Sequence, residues 1–228
     1  MFEGELVRRL GVYAVFKSID ESDEWILETV TELLNQLGRQ LGIASWDSPK
    51  GAWGPQASEN VAQLHATGDV MENAHSGVKP AYLLWFDGRG KSVQVRIQMS
   101  LGSNYVGNRL PNHFVNVSLR ELGDDGDVLR DSSAVLGSLV ALFDPYYVVV
   151  NTIPVWDMEQ RSGWEIGSGY VCWFSDDLGE ISVVPDGLTA RRLGEGTLVE
   201  APPEWDVSRV VESGRALREA NGIDQVPH

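Results

Sequence analysis

The chain has little of what most catalytic and metal sites require. It holds one cysteine, Cys172, so no internal disulfide can form and no paired-cysteine zinc set is available. Cys172 lies inside an apolar run, which predicts a buried, inert thiol and not a nucleophile. The four histidines, His65, His75, His113 and His228, are far apart and form no H-x3-H pair. Long apolar runs are absent as well: none approaches the ~18 residues that a membrane span needs. The opening MFEGELVRRLGVYAVF shows no basic region ahead of a long apolar stretch. A cytoplasmic location is therefore expected. Positive charge is scarce, with 18 Lys and Arg against 33 Asp and Glu, a formal net charge of −15. A field of that sign repels nucleic acid and anionic membranes and favours a basic partner.

Catalytic motifs are missing too. GRGKS at 88–92 faintly suggests a phosphate loop, but a Walker motif needs glycine where Trp85 stands, and it needs a following helix where a strand is expected. LGSN at 101–104 lacks the flanks of a nucleophile elbow. DDGDVLRD at 124–131 has the wrong glycine spacing for a calcium loop, with Val135 at the position of the bidentate glutamate. His113, at the start of a strand beside Asn112, is the one candidate base. No cofactor, metal or catalytic residue is expected.

What is present is a core. With 228 residues, 43% of them hydrophobic, the chain suits a single domain over 1–228, with a subdivision near 122–145 left open. GVYAVF (11–16) reads as a strand. Ser22 or Asp23 opens an amphipathic helix with apolar residues at Ile26, Val30, Leu33, Leu34, Leu37 and Leu41, stopped by Gly42. Residues 44–79 have no clear period and read as a long connection. Residues 81–100 read as a hairpin turning at DGRG (87–90). Its second arm alternates Val93, Val95, Ile97 and Met99 against Ser92, Gln94, Arg96 and Gln98. NHFVNVSLREL sets Val115, Val117 and Leu119 against Asn116, Ser118 and Arg120. SSAVLGSLVALF (132–143) predicts a buried helix capped by Ser132 or Ser133 and stopped before Pro145. YYVVV (146–150), GYVCWF (169–174), ISVV (181–184) and TLVE (197–200) read as strands. A last helix runs from an Asp206 cap to Gly222. Strands joined by turns predict an α+β fold, mostly antiparallel, with an N-terminal amphipathic helix, a mid-chain helix and a C-terminal helix.

Tyr-x-x-Trp-Phe occurs twice, as YLLWF (82–86) and YVCWF (170–174). Two core strands that look alike, two similar halves from a duplication, and a pair of exposed aromatic platforms are the three readings. The platforms are least favoured, because stacking surfaces for nucleic acid need cationic surroundings.

The second half carries an ordered set of short motifs. F-D-P-Y-Y starts at Phe143, Trp156 follows, then S-G-W-E-I-G-S-G-Y-V-C-W-F, then G-L-T-A-R-R-L-G-E-G-T-L-V and a terminal helix with Leu217. With the N-terminal strand and helix and Trp46, this resembles the immunity protein 52 family of bacterial polymorphic toxin systems. The resemblance is strongest over 143–222. Either Gly163-Trp164 or Gly169-Tyr170 stands at the family's Gly-Trp point.

The resemblance implies an α+β cytosolic protein that neutralises a cognate toxin C-terminal domain. It brings no catalytic residues, and it implies structural roles for the aromatic and glycine positions. A nuclease toxin would have a basic site, which an acidic inhibitor complements. The expected partner-binding residues are Asp124, Asp125, Asp127, Asp176, Asp177 and Glu180, from two of three acidic clusters; the third is IDESDE (19–24). Two other readings stay open: an enzyme whose site pairs His113 with Asp or Glu, and an interaction module outside toxin systems.

Overall fold

A computed structural model describes residues 9–49, 51–53, 77–123, 127–161 and 163–228. Ten strands join in one antiparallel sheet: β1 (Arg9–Phe16), β2 (Trp46–Ser48), β3 (Gly51–Ala52), β4 (Tyr82–Arg89), β5 (Val93–Leu101), β6 (Phe114–Glu121), β7 (Pro145–Asn151), β8 (Val171–Ser175), β9 (Thr189–Arg192) and β10 (Gly196–Glu200). Their order is β3-β2-β4-β5-β6-β1-β7-β8-β10-β9. The N-terminal strand thus lies between the two later groups, with β6 on one side and β7 on the other. The fold is α+β with helices near the start, middle and end of the chain.

Helix α1 (Asp23–Leu41) forms where the apolar period places it. Ser22 accepts the N–H of Trp25 at 3.2 Å, and Gly42 closes the helix at φ 68°. Ile26, Val30, Leu33 and Leu37 are fully buried, each contributing about 1.5–3 kcal/mol by leaving water. Helix α2 (Val128–Phe143) starts earlier than its serines suggest. Asp127 is the cap, accepting from the Arg130 N–H at 3.0 Å. Ser132 and Ser133 instead turn their hydroxyls back onto the Leu129 carbonyl, at 2.7 and 3.2 Å. Asp144 ends α2 at φ 44°, and Pro145 opens β7, so F-D-P-Y-Y is a helix stop followed directly by a strand.

Helices α1 and α2 cover one face of the sheet. Their core takes Leu84 and Phe86 from β4, Val95 and Ile97 from β5, Val117 from β6, Val12 from β1 and Trp173 from β8. Among the described residues the opposite face is covered only over its second half. There α4 (Val207–Asn221) and the C-terminal residues pack Leu217, Ile223 and Val226 onto Tyr147, Val149, Cys172 and Phe174.

The two Tyr-x-x-Trp-Phe stretches bury opposite faces. In β4, Leu84 and Phe86 face α1 and α2, leaving Trp85 on the other side. In β8 it is Trp173 that joins that core, while Cys172 and Phe174 point away from it. Their neighbours differ as well. β4 makes a hairpin with β5, whereas β8 pairs with β7 and β10. They are core strands that share a local pattern.

Four further local readings change, the first being that two short strands, β2 and β3, form within the 44–79 connection. The hairpin turn lies at 90–92, where Gly90 donates to the Val93 carbonyl, and β4 continues through Asp87–Arg89. ISVV is not a strand. Asn221 of α4 takes the place of a strand partner: its side-chain oxygen accepts the N–H groups of Ser182 and Val183 at 2.9 and 3.0 Å, and its amide donates to Val183 at 2.7 Å. A short helix, α3 (Ile153–Glu159), follows β7, capped by Thr152 with Pro154 in its first turn.

Candidate functional site

Among the described residues no helix covers the face of β4, β5, β6 and β1 opposite α1 and α2, and strand register makes it a ladder of four rows. At one end Arg89, Gln94, Arg120 and Arg9 stand side by side. The next row is Asp87, Arg96, Ser118, Gly11 and, on β7, Asn151. Then come Trp85, Gln98, Asn116 and Tyr13, and last Leu83, Ser100, Phe114 and Val15. Side chains alternate faces along a strand, so the residues that alternate with the buried valines necessarily share this side. The surface runs from guanidinium groups at one end to aromatic rings at the other.

Over β1, β5 and β6 this face deepens into a cleft of about 670 Å³. Its floor includes Arg9, Tyr13, Arg96, Asn116 and Arg120, and its far wall is built by α3, Pro111, Arg161, Gly163, Glu165 and Gly167. Trp156 of α3 stands on the rim, 46% exposed, with its ring edge-on to Tyr13 at 6.5 Å. Tyr13 in turn packs on Phe114 at 6.0 Å. Leu110 and Ile153 also line the cleft while 62% and 57% exposed. Such clustered exposed apolar side chains mark interaction surfaces.

The wall is braced by a buried polar cluster. Glu159, at the end of α3, pairs with Arg218 of α4 at 2.6 Å, the two side chains 4% and 3% exposed. Ser168 donates to Glu159 Oε1 at 2.6 Å, its N–H reaches Glu159 Oε2, and Arg218 Nη1 donates to its hydroxyl at 2.9 Å. Tyr147 donates to the Gly167 carbonyl and accepts the Gly167 N–H, both at 3.0 Å. Burial pushes the Tyr147 phenol well above its ordinary pKa and the Cys172 thiol up to about 12. Both are therefore neutral at physiological pH, and Cys172 is the inert thiol its setting suggests.

The motif glycines earn their place by geometry. Gly163 has φ 66°, and a Cβ there would lie 2.4 Å from the Arg109 carbonyl oxygen; a Cβ on Gly169 would lie 2.3 Å from that of Val150. Trp164 is buried, donating to the Asn108 carbonyl at 3.0 Å and stacking on His228 at 4.8 Å. Trp46 is likewise a core residue, donating to the Leu34 carbonyl at 3.0 Å. Trp156 differs from both, since it faces the cleft.

Of the acidic residues singled out from the sequence, Asp127, Asp176, Asp177 and Glu180 are described. Asp124 and Asp125 lie outside the described residues. Asp127 caps α2. Asp176 makes a two-pronged pair with Arg192 at 2.6 and 2.7 Å, and that hydrogen-bonded guanidinium holds its carboxyl below the usual range. Asp177 pairs with Lys17 at 2.7 Å, and Lys17 also meets Asp144 at the C-terminal end of α2. The 16 residues of α2 span about 24 Å, so Asp127 and the 176–177 pair stand at opposite ends of that helix. Glu180 is exposed. His113 does meet a carboxylate, Glu21, at 3.2 Å. Both side chains are almost fully enclosed, and neither lines the cleft. Glu21 also takes the Gly102 N–H at 2.7 Å, so the pair ties the approach to α1 onto the end of β5. Among the described residues no cluster of His, Cys, Asp or Glu is arranged to hold a metal. No described helix is long and apolar enough to cross a membrane.

These features define a class: an α+β protein whose antiparallel sheet is, among the described residues, covered by helices on one side and half-open on the other. Among solved structures the chain is similar to Pseudomonas aeruginosa T6SS protein PA0821, with a TM-score of 0.52 and 9% identity, over 96% of this chain and 74% of that one. At that identity the likeness shows a shared fold. No family model matches the chain, and no curated protein matches it. The resemblance to the immunity protein 52 family therefore rests on the motif order alone.

Proposed function

We propose that this chain is a cytoplasmic, non-catalytic immunity protein that binds a cognate toxin C-terminal domain, and that the open sheet face is its binding surface. The observation that carries the reading is the cleft itself. Exposed Trp156, Leu110 and Ile153 rim a floor of polar and cationic side chains on rigid strands. Aromatic and arginine side chains on a fixed platform are the usual anchors of protein recognition. The fold likeness to a protein described as belonging to a T6SS supports a secretion-system-associated role. The motif order supports immunity within that class. Asp124, Asp125, Asp127, Asp176, Asp177 and Glu180 act at longer range, through the field of a chain with net charge −15.

The test is a titration of the purified chain with an inactivated C-terminal domain of the toxin encoded beside its gene, followed by calorimetry. A one-to-one complex that Trp156→Ala weakens at least about tenfold is the expected result. Absence of binding, with both proteins folded, would overturn the reading.

A further inference from the structure

The cleft lining carries four arginines, Arg9, Arg96, Arg120 and Arg161, against two glutamates, Glu159 and Glu165, in a chain that is otherwise strongly acidic. Arg9 and Arg120 stand directly opposite each other on β1 and β6, and Arg89 continues their row on β4. Like charges directly opposite on antiparallel strands repel and cost stability. Elsewhere on this surface arginines are compensated: Arg96 binds Asp87 at 2.8 Å, and Arg161 binds Asp224 at 2.7 Å. Among the described residues Arg9, Arg89 and Arg120 have no such carboxylate. These three uncompensated guanidinium groups stand in one row at one end of the face, and at the other end of the same face lie Tyr13, Phe114 and Trp156.

We infer that the cleft takes an acidic segment of a protein partner, with carboxylates on the Arg9–Arg120 row and an apolar side chain against the aromatic end. Arginine recognises carboxylates through paired N–H donors, and a partly enclosed floor strengthens each contact. Length supports the same occupant. From Arg120 to Phe114 is six residues along β6, about 20 Å at strand rise, which an extended segment of about six or seven residues spans. The apolar anchor also separates this occupant from a simple anion, which would need the guanidinium row alone. The inference deepens the immunity reading, on which it rests for the identity of the partner, but the chemistry of the surface is independent of it.

The experiment uses the full chain and three synthetic dodecapeptides that differ only at four consecutive positions, filled with Glu, Gln or Lys, ahead of a shared Gly-Gly-Trp-Phe end. Binding is measured by fluorescence anisotropy at low and moderate salt. The glutamate peptide is expected to bind at least about tenfold tighter than the glutamine peptide, with the lysine peptide weakest. That separation should shrink with salt and vanish in the double variant Arg9→Gln/Arg120→Gln. Arg191→Gln on the edge strand β9 serves as the matched surface control and should change nothing. Equal binding of the three peptides, or a preference that survives in the double variant, would overturn the inference. If the peptides behave as expected and the neighbouring toxin domain does not bind, the surface chemistry stands and the immunity reading falls. If the toxin domain binds the double variant as tightly as the natural chain, the immunity reading stands and the acidic segment does not.

Discussion

At the residue scale the molecule separates buried polar groups that hold the fold from exposed ones free to meet a partner. His113 and Glu21 belong to the first kind. Replacing His113 with Ala leaves the buried Glu21 carboxylate without one of its partners and should cost about 1–3 kcal/mol, read as a fall in the urea midpoint at unchanged slope. Cys172 should resist thiol reagents in the folded chain. A pKa near 12 leaves roughly one thiol in ten thousand ionised at pH 8, and the side chain is buried. Labelling that tracks unfolding in a urea series is expected; rapid labelling in native buffer would contradict the burial. Lys17 gives a pH signature. Burial lowers its pKa, but hydrogen bonds to Asp177 and Asp144 outweigh this and raise it above 10.5. A raised folded value means that its contribution is complete below pH 10.5 and disappears as pH climbs through the folded pKa. The melting-temperature gap between the natural chain and Lys17→Met should stay constant from pH 7 to about 10 and close as pH rises past 10.5.

At the scale of elements, amphipathic periods were the legible part. Helix α1 and its caps, the alternation of β5 and β6, β7, β8, β10 and α4 all follow from residue spacing. Side-chain chemistry competing with that spacing was not legible. Ser132 and Ser133 resemble caps but bond back into the helix, and Asn221 substitutes for a strand opposite ISVV. Helix α3 was missed because seven residues are too few to show a period, although Thr152 followed by Pro154 was a usable start signal. This small element sets the cleft wall, and its anchor is the Glu159–Arg218 pair. Breaking one side of a buried pair strands the other charge, so Arg218→Met should cost about 3–5 kcal/mol, whereas a double change to apolar residues of similar volume should recover most of that. Equilibrium unfolding of the three variants checks both halves of the prediction.

At the scale of the whole molecule, the site depends on which strands become neighbours. The polar faces of β5 and β6 could be read as Gln94, Arg96, Asn116, Ser118 and Arg120. That β1 would insert beside β6 and bring Arg9 against Arg120 required the topology. The described residues of the acidic clusters singled out in the sequence lie off this row; net charge reports an average and not its distribution over the fold. Under the proposed function those clusters shape the approach of a partner. Reversing Glu180, Asp124 and Asp125 to Lys should slow association with a basic toxin domain about tenfold at low salt and leave dissociation nearly unchanged. Stopped-flow traces at two ionic strengths would show it.

The most direct test of the account is growth rescue. The C-terminal domain of the neighbouring toxin is expressed in a host alone, with the natural chain, or with a chain carrying Trp156→Ala and Arg120→Glu on the open face. Colony counts restored by the natural chain and lost again with the double variant, both forms being soluble and equally expressed, are the result predicted here. Failure of the natural chain to rescue would contradict the immunity role, and full rescue by the variant would contradict the assignment of the open face.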